Sequence, residues 1–237
     1  MDILEQIRGK LIVSCQALEH EPLFGSAIMK KVAKAAQEGG ASAIRANGVS
    51  DIIAIKEETK LPVIGLIKRF YEGCDVYITP TLKEIEELIS TGCEIIAIDA
   101  TDRCHPDNVS LASKVKRIHE AGILAMADIS TYEEAVNAKS IGFDLISTTL
   151  SGYTPYSRQE ESPDVELVGR LVRDLDIPII AEGRISTTED IIAIRKEQPY
   201  AIVVGSAITR PQLITRKFYD AYMDNEKNIV KMDKISE

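Results

Sequence analysis

One pattern recurs from end to end of this chain and constrains its fold more than any other feature. Short runs rich in Ile, Val and Ala alternate with segments of helical spacing. Eight runs are distinguishable: 11–16, 42–47, 62–68, 94–100, 123–129, 144–149, 178–183 and 201–207. Their near-continuous hydrophobicity suits strands buried on both faces, which requires a parallel sheet covered by helices. Between them, Leu111, Val115 and Ile118 recur at steps of four and three, as do Val165, Val168, Leu171, Val172 and Leu175 in 164–175. Each set forms one apolar helix face. Thr81 with Glu84, Ser130 with Glu133 and Ser186 with Glu189 have capping-box spacing. Eight such units in 237 residues predict an α/β protein with a (β/α)₈ TIM barrel as a single domain. An open doubly wound sheet is the alternative, but no G-x-G-x-x-G follows the first strand. We assign the barrel to 1–222 and read 223–237 as a tail, a frayed helix end or disordered.

Composition excludes several functions. The chain has 28 basic and 37 acidic residues, a formal net charge of −9, which disfavours non-specific binding to nucleic acid or anionic membrane. No apolar run approaches the ~18 residues of a membrane span, and the charged N-terminus lacks a secretory h-region. Cys15, Cys74, Cys93 and Cys104 make no C-x-x-C, so they read as reduced thiols of a cytoplasmic protein. His20, His105 and His119 are scattered, and no metal-ligand spacing is present. Asp99 is followed two residues on by Thr101, so the D-x-K-x-x-D chemistry of barrel decarboxylases lacks its lysine.

In a (β/α)₈ barrel the chemistry sits at the C-terminal strand ends. There the runs present Gln16, Arg45, Lys68, Asp99, Asp128, Thr148 or Thr149, Glu182 and Gly205-Ser206. Strand alternation places Lys68 inward with Leu66 and Ile64, Glu182 with Ile180, and Gln16 with Ser14 and Ile12; Arg69 and Cys15 then face the helices. Lys68 and Glu182 end strands 3 and 7 and so face each other across the mouth. An amine opposite a carboxylate suits proton removal and return beside a carbonyl. A basic lysine must be brought down by roughly 2–3 units, through burial and a cationic neighbour such as Arg45. Gly183, Gly205 and Ser206 form glycine-containing turns where barrels often hold phosphate, with Arg210 close by. The long loop 149–164 reads as a lid whose Ser151, Tyr153 and Tyr156 cover a polyol.

The segments SCQAL (14–18), IRAN (44–47), GLIKR (65–69), YITPT (77–81), IDAT (98–101), MADIS (126–130), TTLSGYTPYS (148–157), AEGRI (181–185) and VVGSAITRP (203–211) resemble the N-acetylmannosamine-6-phosphate 2-epimerase family. The resemblance spans about residues 9–222. It implies a (β/α)₈ fold and interconversion, without a cofactor, of N-acetylmannosamine 6-phosphate and N-acetylglucosamine 6-phosphate, a step of bacterial sialic acid use. It further implies that Lys68 transfers the proton and Glu182 assists, while Gln16, Arg45, Asp128 and Arg210 contact substrate. A homodimer is the assembly the family suggests. Two readings compete: a Schiff-base aldolase using Lys68 as nucleophile, and a sugar-phosphate-binding barrel without catalysis.

Overall fold

The computed structural model describes residues 2–233, with side chains described through Met223. Eight parallel strands close on themselves in chain order. They are β1 (Leu11–Cys15), β2 (Ala43–Asn47), β3 (Val63–Leu66), β4 (Ile95–Asp99), β5 (Leu124–Asp128), β6 (Leu145–Ser147), β7 (Ile179–Ala181) and β8 (Ala201–Val204). Closure is made by β8 on β1, where Ile12 pairs with Val203. All eight apolar runs therefore carry strands, each shorter than its run. Arg45, Asp99 and Asp128 are still paired in the ladder, whereas Gln16, Lys68 and Glu182 lie just past the strand ends at the mouth of the barrel.

Helices cover the outside: α2 (Ser26–Glu38), α3 (Val49–Thr59), α4 (Leu82–Ile89), α5 (Leu111–Glu120), α6 (Tyr132–Ile141), α7 (Val165–Asp174) and α8 (Thr188–Lys196). Short α9 (Ser206–Thr209) leads into long α10 (Pro211–Asp233). That helix crosses the boundary expected at 222, so the backbone does not break there; 234–237 lie outside the described residues.

Alternation splits the strand residues into two cores. Ile12, Ile64, Leu66, Ile95, Met126, Leu145, Ile180 and Val203 fill the interior. Val13, Cys15, Ile44, Ile96, Ile98, Ala127 and Ile146 meet the helices. A helix not read from the sequence, α1 (Ile3–Ile7), packs Ile3, Leu4 and the fully buried Ile7 into the interior cluster beside Leu124 and Tyr200. It closes the end opposite the mouth. Five residues are too few to show a helical period, which is why the sequence concealed it.

The capping boxes are real but two sit one residue later than expected. Thr81 with Glu84 starts α4, Thr131 with Glu134 starts α6, and Thr187 with Asp190 starts α8. Ser130 and Ser186 each donate a backbone N–H to the same carboxylate from one position upstream, so the serine precedes the cap.

Candidate active site

Arg45 leaves β2 toward the interior and is 1% exposed. Its Nη2 donates to Asp128 Oδ2 at 2.5 Å. Its Nη1 donates to Thr149 Oγ1 at 2.8 Å and forms a close ion pair with Glu182. Thr149 in turn donates to Asp128 Oδ1 at 2.8 Å. One guanidinium thus serves two carboxylates. Burial pushes the Asp128 carboxyl up to about 6 against the pull of Arg45, and the Glu182 charge adds to the rise. Glu182 follows β7 directly. Its backbone is fixed by Thr148, whose hydroxyl accepts from Glu182 N at 3.1 Å and donates to Glu182 O at 2.8 Å.

Lys68 lies two residues past the end of β3 rather than on it. There the chain folds into a small hairpin: Lys68 bridges Ile78, Arg69 N donates to Tyr77 O, and Thr79 N donates to Ile67 O. Asn47 Oδ1 accepts the Lys68 N–H at 2.8 Å. Arg69 turns outward to Glu84 and Glu87 on α4, as its parity requires. Among the described residues, the Lys68 Nζ has no hydrogen-bond or ion-pair partner. Burial, then the nearby Arg45 and Arg210 guanidiniums, bring its ammonium down to about 8.

A cavity of about 900 Å³ opens at this mouth, lined among others by Gln16, Arg45, Lys68, Glu182, Gly183, Gly205, Ser206 and Arg210. Eight of the nine expected site residues therefore border one space. Lys68 and Glu182 do so from β3 and β7, four strands apart in a closed ring of eight. The ninth, Asp128, is fully buried and does not line the cavity. Its carboxylate accepts from Arg45 and Thr149, one bond on each oxygen. Gln16 donates to Ser14 Oγ at 2.8 Å, which leaves its Oε1 buried without a partner.

At the β7–β8 side, Gly183 has φ +104, and a Cβ there would lie 3.3 Å from the Thr148 and Thr149 carbonyl oxygens. Arg210 donates from Nη1 to Ser206 Oγ at 2.8 Å. Its remaining fork, Nε and Nη2, grips Glu21 at 2.6 and 2.9 Å. Burial raises the Glu21 carboxyl, but Arg210 and the Leu18 N–H outweigh it and hold the group below the usual carboxylate range.

The 149–164 segment covers part of the cavity through Leu150 and Tyr153. Arg184, at φ +56, ties it down by donating to the Gly152 and Glu160 carbonyls and lies 5.0 Å from the Tyr153 ring centre. Two expected polyol contacts are absent from the cavity lining. Ser151 donates to Asp164 Oδ2 and Tyr156 donates to Glu134 Oε1, so both anchor the loop. Glu21, Tyr77 and Arg184 were not singled out by sequence reasoning. Each is a loop residue whose role arises from contacts distant in sequence.

His105 sits behind the loops, bonded to the Pro80 and Asp99 carbonyls, and His119 meets Asp144 at 2.8 Å. Among the described residues no cluster of three or more His, Cys, Asp or Glu is arranged to hold a metal ion. None of their helices is long and apolar enough to cross a membrane.

A closed (β/α)₈ barrel whose C-terminal mouth opens into a cavity lined by charged and polar side chains, among them a lysine without a partner among the described residues, has the form of a barrel enzyme. The NanE family model, described as "Putative N-acetylmannosamine-6-phosphate epimerase", matches residues 29–224. A relative from Clostridioides difficile (strain 630), named "Putative N-acetylmannosamine-6-phosphate 2-epimerase", is 58% identical over 219 residues, covering 92% of this chain and 98% of the relative. A relative of the same name from Clostridium perfringens (strain 13 / Type A) is 56% identical over 218 residues, covering 92% and 99%. The solved structure of the N-acetylmannosamine-6-phosphate 2-epimerase from Clostridium perfringens superposes with a TM-score of 0.92 at 54% identity, covering 93% of this chain and 96% of that one. The chain belongs to the N-acetylmannosamine-6-phosphate epimerase family.

Proposed function

We propose that this chain interconverts N-acetylmannosamine 6-phosphate and N-acetylglucosamine 6-phosphate by moving the proton at C2. The observation that carries the reading is the Lys68 amine. It has no partner among the described residues, is brought down to about 8, and shares its cavity with Glu182. At that value roughly a tenth of the amine is neutral at pH 7. In the open-chain sugar, C2 lies beside the C1 aldehyde, so its hydrogen is acidic. Lys68 removes it and exchanges it with solvent, and a proton delivered to the opposite face, by Lys68, Glu182 or a substrate hydroxyl, inverts C2. Glu182, held by Arg45 and Thr148, orients the sugar hydroxyls. The unpartnered Gln16 Oε1 accepts from the ligand. Gly183, Gly205, Ser206 and Arg210 receive the 6-phosphate, where exposed backbone N–H groups and a guanidinium favour an anion. The reaction is redox-neutral and assigns no role to a cofactor.

The test is proton NMR of N-acetylmannosamine 6-phosphate with the protein in D₂O. The gluco epimer is expected to appear with deuterium at C2, and Lys68→Ala is expected to lose both signals. Binding without epimer or exchange overturns the reading. Borohydride trapping of substrate on Lys68 would favour the aldolase.

We further infer a cytoplasmic homodimer. Exposed Ile208, Leu213, Phe218 and Tyr219 on α9 and α10 supply apolar area suited to a second copy. Sedimentation of the full chain is expected to give twice the 26.1 kDa of one chain; a monomer at micromolar concentration overturns this.

A further inference from the structure

The four free thiols divide into two pairs of opposite character. Cys15 and Cys93 are buried in the outer core. Burial raises both thiols, that of Cys15 to about 12, so they are poor nucleophiles. Cys74 and Cys104 lie in the loops that follow β3 and β4, on the face that carries the site, and Cys104 is exposed.

These two loops touch at the cysteines. Cys74 stands at the turn of the Lys68–Ile78 hairpin, where it bridges Tyr71 and its N–H donates to Tyr71 O at 3.1 Å. Its Sγ lies 3.1 Å from the Cys104 carbonyl oxygen. The residues beside the pair hold the same register, since Arg103 Nη1 donates to Asp75 O at 3.1 Å. Arg103 is itself anchored to Asp99 Oδ2 at 2.6 Å and Thr101 Oγ1 at 2.9 Å. A disulfide needs Cα atoms within about 7 Å and Cβ vectors that converge. One thiol already lies against the partner's backbone, and the partner side chain is exposed, so its Sγ is free to change rotamer.

We propose that Cys74 and Cys104 are a dithiol–disulfide pair that joins the tip of the Lys68 hairpin to the neighbouring loop. With a disulfide such as oxidised glutathione as oxidant, the exposed Cys104 thiolate attacks one glutathione sulfur. A mixed disulfide forms and one glutathione leaves. The Cys74 thiolate then attacks Cys104 Sγ, forms the internal bond and expels the second glutathione. The two protein sulfurs are oxidised by two electrons in total, and the two thiol protons end on two glutathione thiols. The bond staples a hairpin that begins at Lys68 and supplies Tyr77 and Ile78 to the cavity wall. The inference is independent of which sugar the site takes.

The test is intact-mass and peptide analysis of the full chain incubated with oxidised glutathione. The expected result is loss of two hydrogens, a linked peptide pair containing Cys74 and Cys104, and reversal by dithiothreitol. Hydrogen exchange of residues 69–79 is expected to slow on oxidation. Cys74→Ser and Cys104→Ser are each expected to leave the remaining thiol as a lasting glutathione adduct. Wild-type protein that stays reduced overturns the proposal. So does protein that keeps glutathione on either cysteine without an internal link, or that links Cys15, Cys93 or two chains.

Discussion

Lys68 is held in a place where its charge is disfavoured, and that has measurable consequences. Its ammonium is brought to about 8 from an ordinary 10.5, so the unfolded chain binds the proton more tightly between these values. Stability therefore rises with pH across that window, and below about 8 the penalty is fully present. Lys68→Met is expected to raise unfolding free energy by about 2–3 kcal/mol at pH 7, with the gain vanishing above about pH 10.5. Denaturant titrations at the two pH values check this. Activity runs the other way: kcat/KM is expected to fall below about pH 8 as the amine gains its proton. Glu21 is a negative charge that favours the ammonium, so Glu21→Gln is expected to move that limb to lower pH in a pH–rate profile. Arg45 differs in kind. With Asp128 and Glu182 both on its fork, Arg45→Ala strands buried carboxylates and is expected to cost about 3–5 kcal/mol, read as a lowered denaturation midpoint.

At the level of elements, helix starts are local and separable. Thr187→Ala removes the hydroxyl that accepts from Asp190 N at 3.1 Å and is expected to cost about 1 kcal/mol, measured by urea unfolding. Helix starts were legible to within one residue: the Thr81 box was placed correctly, whereas those at Thr131 and Thr187 were read at the preceding serines. The eight strands were legible because doubly buried parallel strands leave continuous apolar runs. Inward parity of Gln16, Lys68 and Glu182 followed from alternation, and all three line the cavity. Less was legible where a side chain's partner comes from far along the chain. Asp128 has the parity of a mouth residue, yet its partners Arg45 and Thr149 bury it. Tyr156 and Ser151 have the polarity of polyol contacts, yet Glu134 and Asp164 claim them. Glu21 carries no local signal, since its meaning comes from Arg210 near the other end of the sequence. Lys68 was read onto a strand because the apolar run continued, whereas the hairpin to Ile78 had already begun.

For the whole molecule, the ring of strands needs both ends managed. The mouth is left open with a cavity, and the opposite end is filled by α1, which buries Ile7 among interior side chains. Removing residues 1–8 exposes that interior and is expected to lower the thermal midpoint by several degrees, checked by calorimetry against the full chain. The packed interior also determines traffic. Ile12, Ile64, Met126 and Leu145 fill the barrel below the cavity, so an arriving sugar and a departing one cannot pass through from opposite sides. The two epimers must take turns at the same threshold, each excluding the other. Each therefore acts as a competitive inhibitor of the other, and the loops around the doorway govern release as much as entry.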